Sequence, residues 1–217
     1  MNEFIQEVEE ELRSERYREL WRRFGKWVIA ALVLIVLGTA GFVAWRNYRA
    51  EQYANYGAEL IGGLNLLDRG DGEGAVAALN HLGKNGTANY RVLAELHEAQ
   101  ANIALGKTAE ALAIYGEVKD NSRYEPEFRD LALLLSGYVW IGLENAELLE
   151  ARLKPLLGSD NPWRFGAQEL IALGYLNQKN FAKARDYLTP LSQDSAAPVG
   201  IKTRAADLLS TLPASTG

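Results

Sequence analysis

Residues 66–82, LLDRGDGEGAVAALNHL, and residues 102–118, NIALGKTAEALAIYGEV, decide the fold. Set one beneath the other at an offset of 36, they match Gly70 with Gly106, Ala75 with Ala111, Leu79 with Tyr115 and Leu82 with Val118. Each matched position has a packing reason. A glycine ends a helix because it accepts the left-handed turn conformation. The small residue lets the next helix come close, and the large apolar residue four positions later fills the space between successive helix pairs. A second match joins Leu149-x3-Leu153-Lys154-Pro155-Leu156 to Ala184-x3-Leu188-Thr189-Pro190-Leu191 at an offset of 35. A period near 35 in an apolar pattern of helical spacing specifies stacked helix pairs rather than a globule.

Outward from these segments the same reading holds to the end of the chain. Past residue 50 almost nothing alternates with period two, Val and Ile are sparse, and Ala and Leu are abundant. Four helix pairs are expected, the third degenerate because Glu144 stands where a turn glycine belongs. A last helix near 199–212 follows Pro198 and gathers Ile201, Ala205, Leu208 and Leu209 on one side, as a cap over the final pair would. Residues 213–217, PASTG, read as a disordered tail.

Upstream the pattern changes. Residues 27–45 contain no charge and no proline and begin and end on tryptophan, Trp27 and Trp45. As a helix they rise about 28 Å, close to the hydrocarbon thickness of a bilayer, and indole rings favour its two boundaries. The preceding flank carries Arg13, Arg16, Arg18, Arg22, Arg23 and Lys26, against Arg46 and Arg49 beyond the span, so the N-terminus is expected in the cytoplasm. A cleaved signal peptide is the competing reading, with Gly38-Thr39-Ala40 as its site. It is disfavoured by the length of the leader, its glutamates and the apolar run through Phe42 and Val43. Residues 1–26 read as a cytoplasmic amphipathic helix, with Phe4, Ile5, Val8, Leu12, Leu20, Trp21 and Phe24 at three- and four-residue steps. Arg22, Arg23, Lys26, Trp27, Trp45 and Arg46 are its candidate contacts with membrane lipid. The organisation expected is therefore 1–26, span 27–45, repeats 46–212 and tail 213–217.

Composition narrows the function. A net charge of −5 without a basic stripe argues against nucleic acid, and the absence of cysteine removes disulfides, thiolate metal sites and cysteine nucleophiles together. His81 and His97 are too far apart for a zinc pair on one helix face. The stretch Asp68-Arg69-Gly70-Asp71-Gly72-Glu73 fails as a calcium loop, since glycines occupy ligand positions and Leu79 stands at the twelfth. Gly83-Lys84-Asn85-Gly86-Thr87 lacks the spacing of a phosphate loop. No catalytic residue, metal site or cofactor is expected, and the chain reads as a non-enzyme.

At Ala99, Gly106, Ala111 and Tyr115, and again at Ala172, Tyr175, Phe181, Ala184 and Leu188, the chain resembles the tetratricopeptide repeat family. That resemblance implies an all-α solenoid whose first helices line a partner-binding face. Placed in the family's register, the face holds Leu60, Leu64, Leu67, Leu93, Leu96, Ile103, Leu131, Leu134, Tyr138, Ile141, Leu173 and Leu176. Repeats that clamp acidic peptides carry Lys, Arg and Asn there. These positions are apolar and suit a hydrophobic segment or an amphipathic helix, unless the leucines are simply core.

The whole layout, with its glutamate-rich N-terminal helix, the approach Leu20-Trp21-Arg22-Arg23-Phe24-Gly25-Lys26-Trp27, one span and about four repeats, is similar to the YfgM family. The similarity implies a bacterial inner-membrane protein with periplasmic repeats, associated with the SecYEG translocon and a membrane-anchored periplasmic chaperone. The alternative expectation is a self-associating assembly factor of another envelope complex, a homo-oligomer.

Overall fold

The computed structural model describes the backbone of residues 2–213 and the side chains of residue 18 and residues 21–213. The apolar face expected before the span relies on Phe4, Ile5, Val8, Leu12 and Leu20, whose side chains lie outside the described residues. Residues 214–217 of the expected tail lie outside them too. Every regular element among the described residues is helical. The chain divides into two units, residues 1–55 and 56–217.

The first unit consists of most of α1 (Asn2–Asp68). From residue 21 to 50 every residue but Gly25, which lies under the Trp21 ring, is exposed, including Ile29, Leu34 and Leu37. By length and composition the helix is long and apolar enough to cross a membrane. Polar groups within it find local partners, as where the Thr39 hydroxyl donates to the Ile35 carbonyl at 2.7 Å. At its far end the Arg49 guanidinium lies 4.5 Å from the Trp45 ring centroid.

The second unit begins with the end of α1 and continues through α2 (Gly72–Asn85), α3 (Ala88–Ala104), α4 (Thr108–Asp120), α5 (Pro126–Trp140), α6 (Ala146–Leu153), α7 (Arg164–Asn177), α8 (Phe181–Gln193) and α9 (Val199–Thr211). A 3-10 turn, Lys154–Leu157, prolongs α6. The pairs are α1/α2, α3/α4, α5/α6 and α7/α8, each packed on the next, with α9 on the last.

Three of the four turns inside pairs are the same object. The Gly70 N–H donates to the Leu67 carbonyl (3.0 Å) and the Asp71 N–H to that of Leu66 (2.9 Å). Gly106 and Lys107 repeat this on Ile103 and Asn102, and Lys179 and Asn180 on Leu176 and Tyr175. The doubled bond satisfies the last carbonyls of each first helix and holds the central residue at positive φ: +80° at Gly70, +75° at Gly106 and 58° at Lys179. Asp71 and Asn180 then cap the following helix, accepting from the N–H groups of Gly74 (2.9 Å) and Lys183 (3.2 Å). A lysine in the left-handed region carries a steric cost of about 1–2 kcal/mol that glycine avoids, less what glycine loses in chain entropy. Lys179→Gly is therefore expected to stabilise the repeat unit by about 0.5–1 kcal/mol, read as a raised urea midpoint at unchanged slope.

The third turn departs from this form. After Trp140 the chain closes with Leu143 and Glu144 N–H groups on the Trp140 carbonyl, without a positive φ, and Asn145 caps α6 through the Leu148 N–H at 2.8 Å. Register is nevertheless kept by the interior. Each first helix places a small residue beneath a large one of its own second helix: Gly63 under Leu79, Ala99 with Tyr115, Gly137 under Leu153 and Ala172 with Leu188. A Cβ on Gly63 would stand 2.8 Å from Leu79, and one on Gly137 3.1 Å from Leu153. In α9 the corresponding position is Asp207, which is exposed. Pair three also exchanges sizes with its neighbour. Leu149 replaces the alanine found at 75, 111 and 184, and α7 yields the space with Gly174, where a Cβ would meet Leu149 at 2.7 Å.

Candidate functional site

With the turns and small-on-large contacts fixing the register, the first helices carry matching rows of side chains along the stack. One row is Leu60, Leu96, Leu134, Glu169 and Arg204. The next is Leu64, Gln100, Tyr138, Leu173 and Leu208, and a third is Leu67, Ile103, Ile141 and Leu176. Leu93 and Leu131 share a fourth row with Gly57, Gly166 and Ile201. All twelve residues expected to face a partner thus fall on one side of successive first helices. There α5 touches α7 and α7 touches α9.

Their exposure is graded across the rows. Leu96 and Leu134 are buried and belong to the packed core, because neighbouring first helices close over that row. Leu60, Leu64, Leu67, Leu93, Leu131, Ile141, Leu173 and Leu176 are half-buried. Tyr138 and Ile103 stand out, 53% and 39% exposed. The accessible part is therefore a band around Tyr138, flanked by half-buried aliphatic residues, with the uncharged Gln100 in the same row.

One pair on this side was not singled out from the sequence. Arg204 on α9 makes a two-pronged contact with Glu169 on α7, Nε to Oε1 at 2.6 Å and Nη2 to Oε2 at 2.7 Å. Glu169 is buried, while the Arg204 side chain is 58% exposed. The carboxylate beside Arg204 raises the pKa of the guanidinium further above its ordinary value. The signal was present in the row itself: leucine at three successive pairs, then an acid, then a base one period later.

Polar bridges also join neighbouring pairs. The Asn80 amide donates to Glu98 at 2.9 Å and the Tyr124 hydroxyl to Glu95 at 2.8 Å, so α3 is tied to the pair before it and the pair after it. The Trp163 indole donates to the Glu127 carbonyl (2.8 Å) and the Asn161 amide to Asp130 (2.7 Å). The Tyr175 hydroxyl donates to Glu150, whose carboxyl that bond holds below its usual range.

Burial pushes the carboxyl groups of Glu95 and Glu98 above the usual range, against the pull of the Tyr124 and Asn80 hydrogen bonds, and the Glu117 charge adds to the rise. Burial likewise raises the Tyr115 phenol to about 12. Because the folded pKa of Glu98 exceeds the unfolded one, the folded state holds its proton more tightly. The stability so gained is complete below the unfolded value of about 4.3 and is lost as pH rises through the folded pKa. Glu98→Gln keeps an acceptor for Asn80 without the charge. It is expected to raise the melting temperature at pH 7 by a few degrees over the parent chain and to narrow that gap toward pH 4.5.

His81 and His97 do not converge. His81 Nδ1 lies 2.5 Å from Glu59, and His97 Nδ1 lies 3.1 Å from Gln100 within its own helix. Among the described residues no group of three His, Cys, Asp or Glu side chains is arranged to hold a metal ion. In the first unit Arg22, Arg23, Lys26, Trp27, Trp45 and Arg46 are all exposed. The Arg23 guanidinium lies 5.7 Å from the Phe24 ring centroid.

Residues 18–141 match a family model described as a tetratricopeptide repeat-like domain. No curated protein and no solved structure matches the chain.

Proposed function

Since the chain belongs to the tetratricopeptide repeat-like domain family, we propose that it is a membrane-anchored, non-enzymatic scaffold that binds protein partners through the first-helix side of its repeats. The observation that carries this reading is the largely apolar, partly open band around Tyr138, Ile103 and Leu173, bordered by the pair of Arg204 and Glu169, on a family architecture that serves protein interaction. The bare apolar stretch of α1 supplies the anchor, and the excess of Arg and Lys before it keeps the N-terminus in the cytoplasm. The repeats then occupy the periplasmic side of a bacterial inner membrane. Arg22, Arg23, Lys26 and Arg46 rest at lipid headgroups, with Trp27 and Trp45 at the two boundaries.

The layout shared with the YfgM family supports two partners, the SecYEG translocon and a membrane-anchored periplasmic chaperone. A largely apolar band suits apolar segments of exported chains in transit. The test is affinity capture of the full chain from membranes in mild detergent, read by quantitative mass spectrometry. Translocon and chaperone subunits are expected to co-purify, and Tyr138→Asp combined with Leu173→Asp is expected to deplete the partner held by the repeats at least tenfold. Consistent failure to recover either partner, with the chain intact and membrane-bound, would overturn the assignment.

A further inference from the structure

The two ends of the stack are finished differently. At the C-terminal end α9 covers α8 and turns Thr203, Ala206, Asp207 and Ser210 to solvent. At the N-terminal end α1 exposes Ala58, Ile61, Gly62 and Asn65, with Ile61 at 59% and nothing within 4 Å of a Cβ placed on Gly62.

In the three pairs that follow, this face is covered, while in α9 the matching Lys202 is half-buried and Ala206 exposed. The residues matching Ala58 are Ala94, Ala132 and Ala167, each 0% exposed, and those matching Gly62 are Glu98, Ser136 and Ile171, all buried. In every case the second helix of the preceding pair lies across them. Ala75, Leu79 and Leu82 of α2 form one buried cluster with Ala94 and Ala101, and Ala111, Tyr115 and Val118 of α4 one with Ala132. The covering helix bears alanine or leucine, then a large apolar residue four positions on, then another three further. Short connections such as Gly86-Thr87 make it antiparallel to the helix it covers.

We propose that Ala58, Ile61, Gly62 and Asn65 form a docking face for a helix of another protein, seated where the second helix of a preceding pair would lie and carrying that apolar stripe. A second copy of this chain is a poor occupant. Its own stripes on α2, α4, α6 and α8 are all buried against the first helices that follow them. The site is separate from the band around Tyr138 and stands or falls independently of it.

The probe is a fluorescent peptide of residues 108–120, stapled between the exposed positions 109 and 113. The natural target of this segment includes Ala132, Leu135 and Ser136, the nearest in kind to Ala58, Ile61 and Gly62. Titrated with the full chain in nanodiscs, it is expected to bind saturably by anisotropy. Tyr115→Asp in the peptide and Ile61→Asp in the protein should each weaken binding at least tenfold, and Val199→Asp on α9 should leave it unchanged. Ile61→Ser replaces Ile61→Asp if the latter lowers the melting temperature. Absence of saturable binding, or binding indifferent to the Ile61 variants, overturns the proposal. So does self-association in native mass spectrometry that Ile61→Asp abolishes, which would give the face to a second copy.

Discussion

Leu153→Ala is expected to cost the repeat unit about 3–5 kcal/mol, the upper part of the range for a buried leucine. The side chain is 0% exposed and lies over Gly137, whose missing Cβ offers no group that could move into the space left behind. Leu149 and Leu156, on the same helix and its 3-10 extension, are already committed, the first against Gly174. Pair three has a short second helix, eight residues, and a turn without the doubled hydrogen bond of its neighbours. The cohesion of the pair therefore rests heavily on this contact. Urea unfolding would give the loss directly, and amide exchange should accelerate first in α5 and α6. A loss under about 1 kcal/mol would mean that the pair collapses around the cavity and that the small-on-large contact does not set its register.

Arg204→Ala is expected to cost about 2–4 kcal/mol, because it leaves Glu169 buried with no cation beside it. Glu169→Leu on its own strands a base that is largely in solvent and should cost less. The double variant is the informative one: Glu169→Leu with Arg204→Ala continues the row of Leu60, Leu96 and Leu134 and should return to within about 1 kcal/mol of the parent. A thermodynamic cycle over the four proteins measures the coupling. If the double variant stays as unstable as Arg204→Ala, the ion pair fastens α9 through something other than charge compensation.

Much of this fold could be read where residue type is dictated by backbone geometry. Gly70 and Gly106 announce their turns because few other residues accept those angles, and Trp27 with Trp45 frames the apolar run. The equivalent turn at Lys179 was hidden. Its hydrogen bonds and the Asn180 cap hold the conformation without the residue that usually signals it. Pair three was obscured for a different reason. Its register lies in complementary volumes, Gly137 with Leu153 and Leu149 with Gly174, which become visible only when two helices are known to meet. The residues expected to face a partner share that limit. Helical spacing placed all twelve on one side of the first helices, but whether a leucine there is open, like the neighbouring Tyr138, or closed, like Leu134, depends on how tightly successive pairs approach.

Asp207 marks where the small-on-large packing of the stack stops. The place it holds is glycine or alanine in the four preceding first helices, where a partner from the next helix must sit. A carboxylate there is costly to bury, and α9 accordingly turns this position to solvent where the other first helices bury theirs. A helix packed on α9 as α2 packs on Gly63 would have to meet that carboxylate instead of a glycine or alanine.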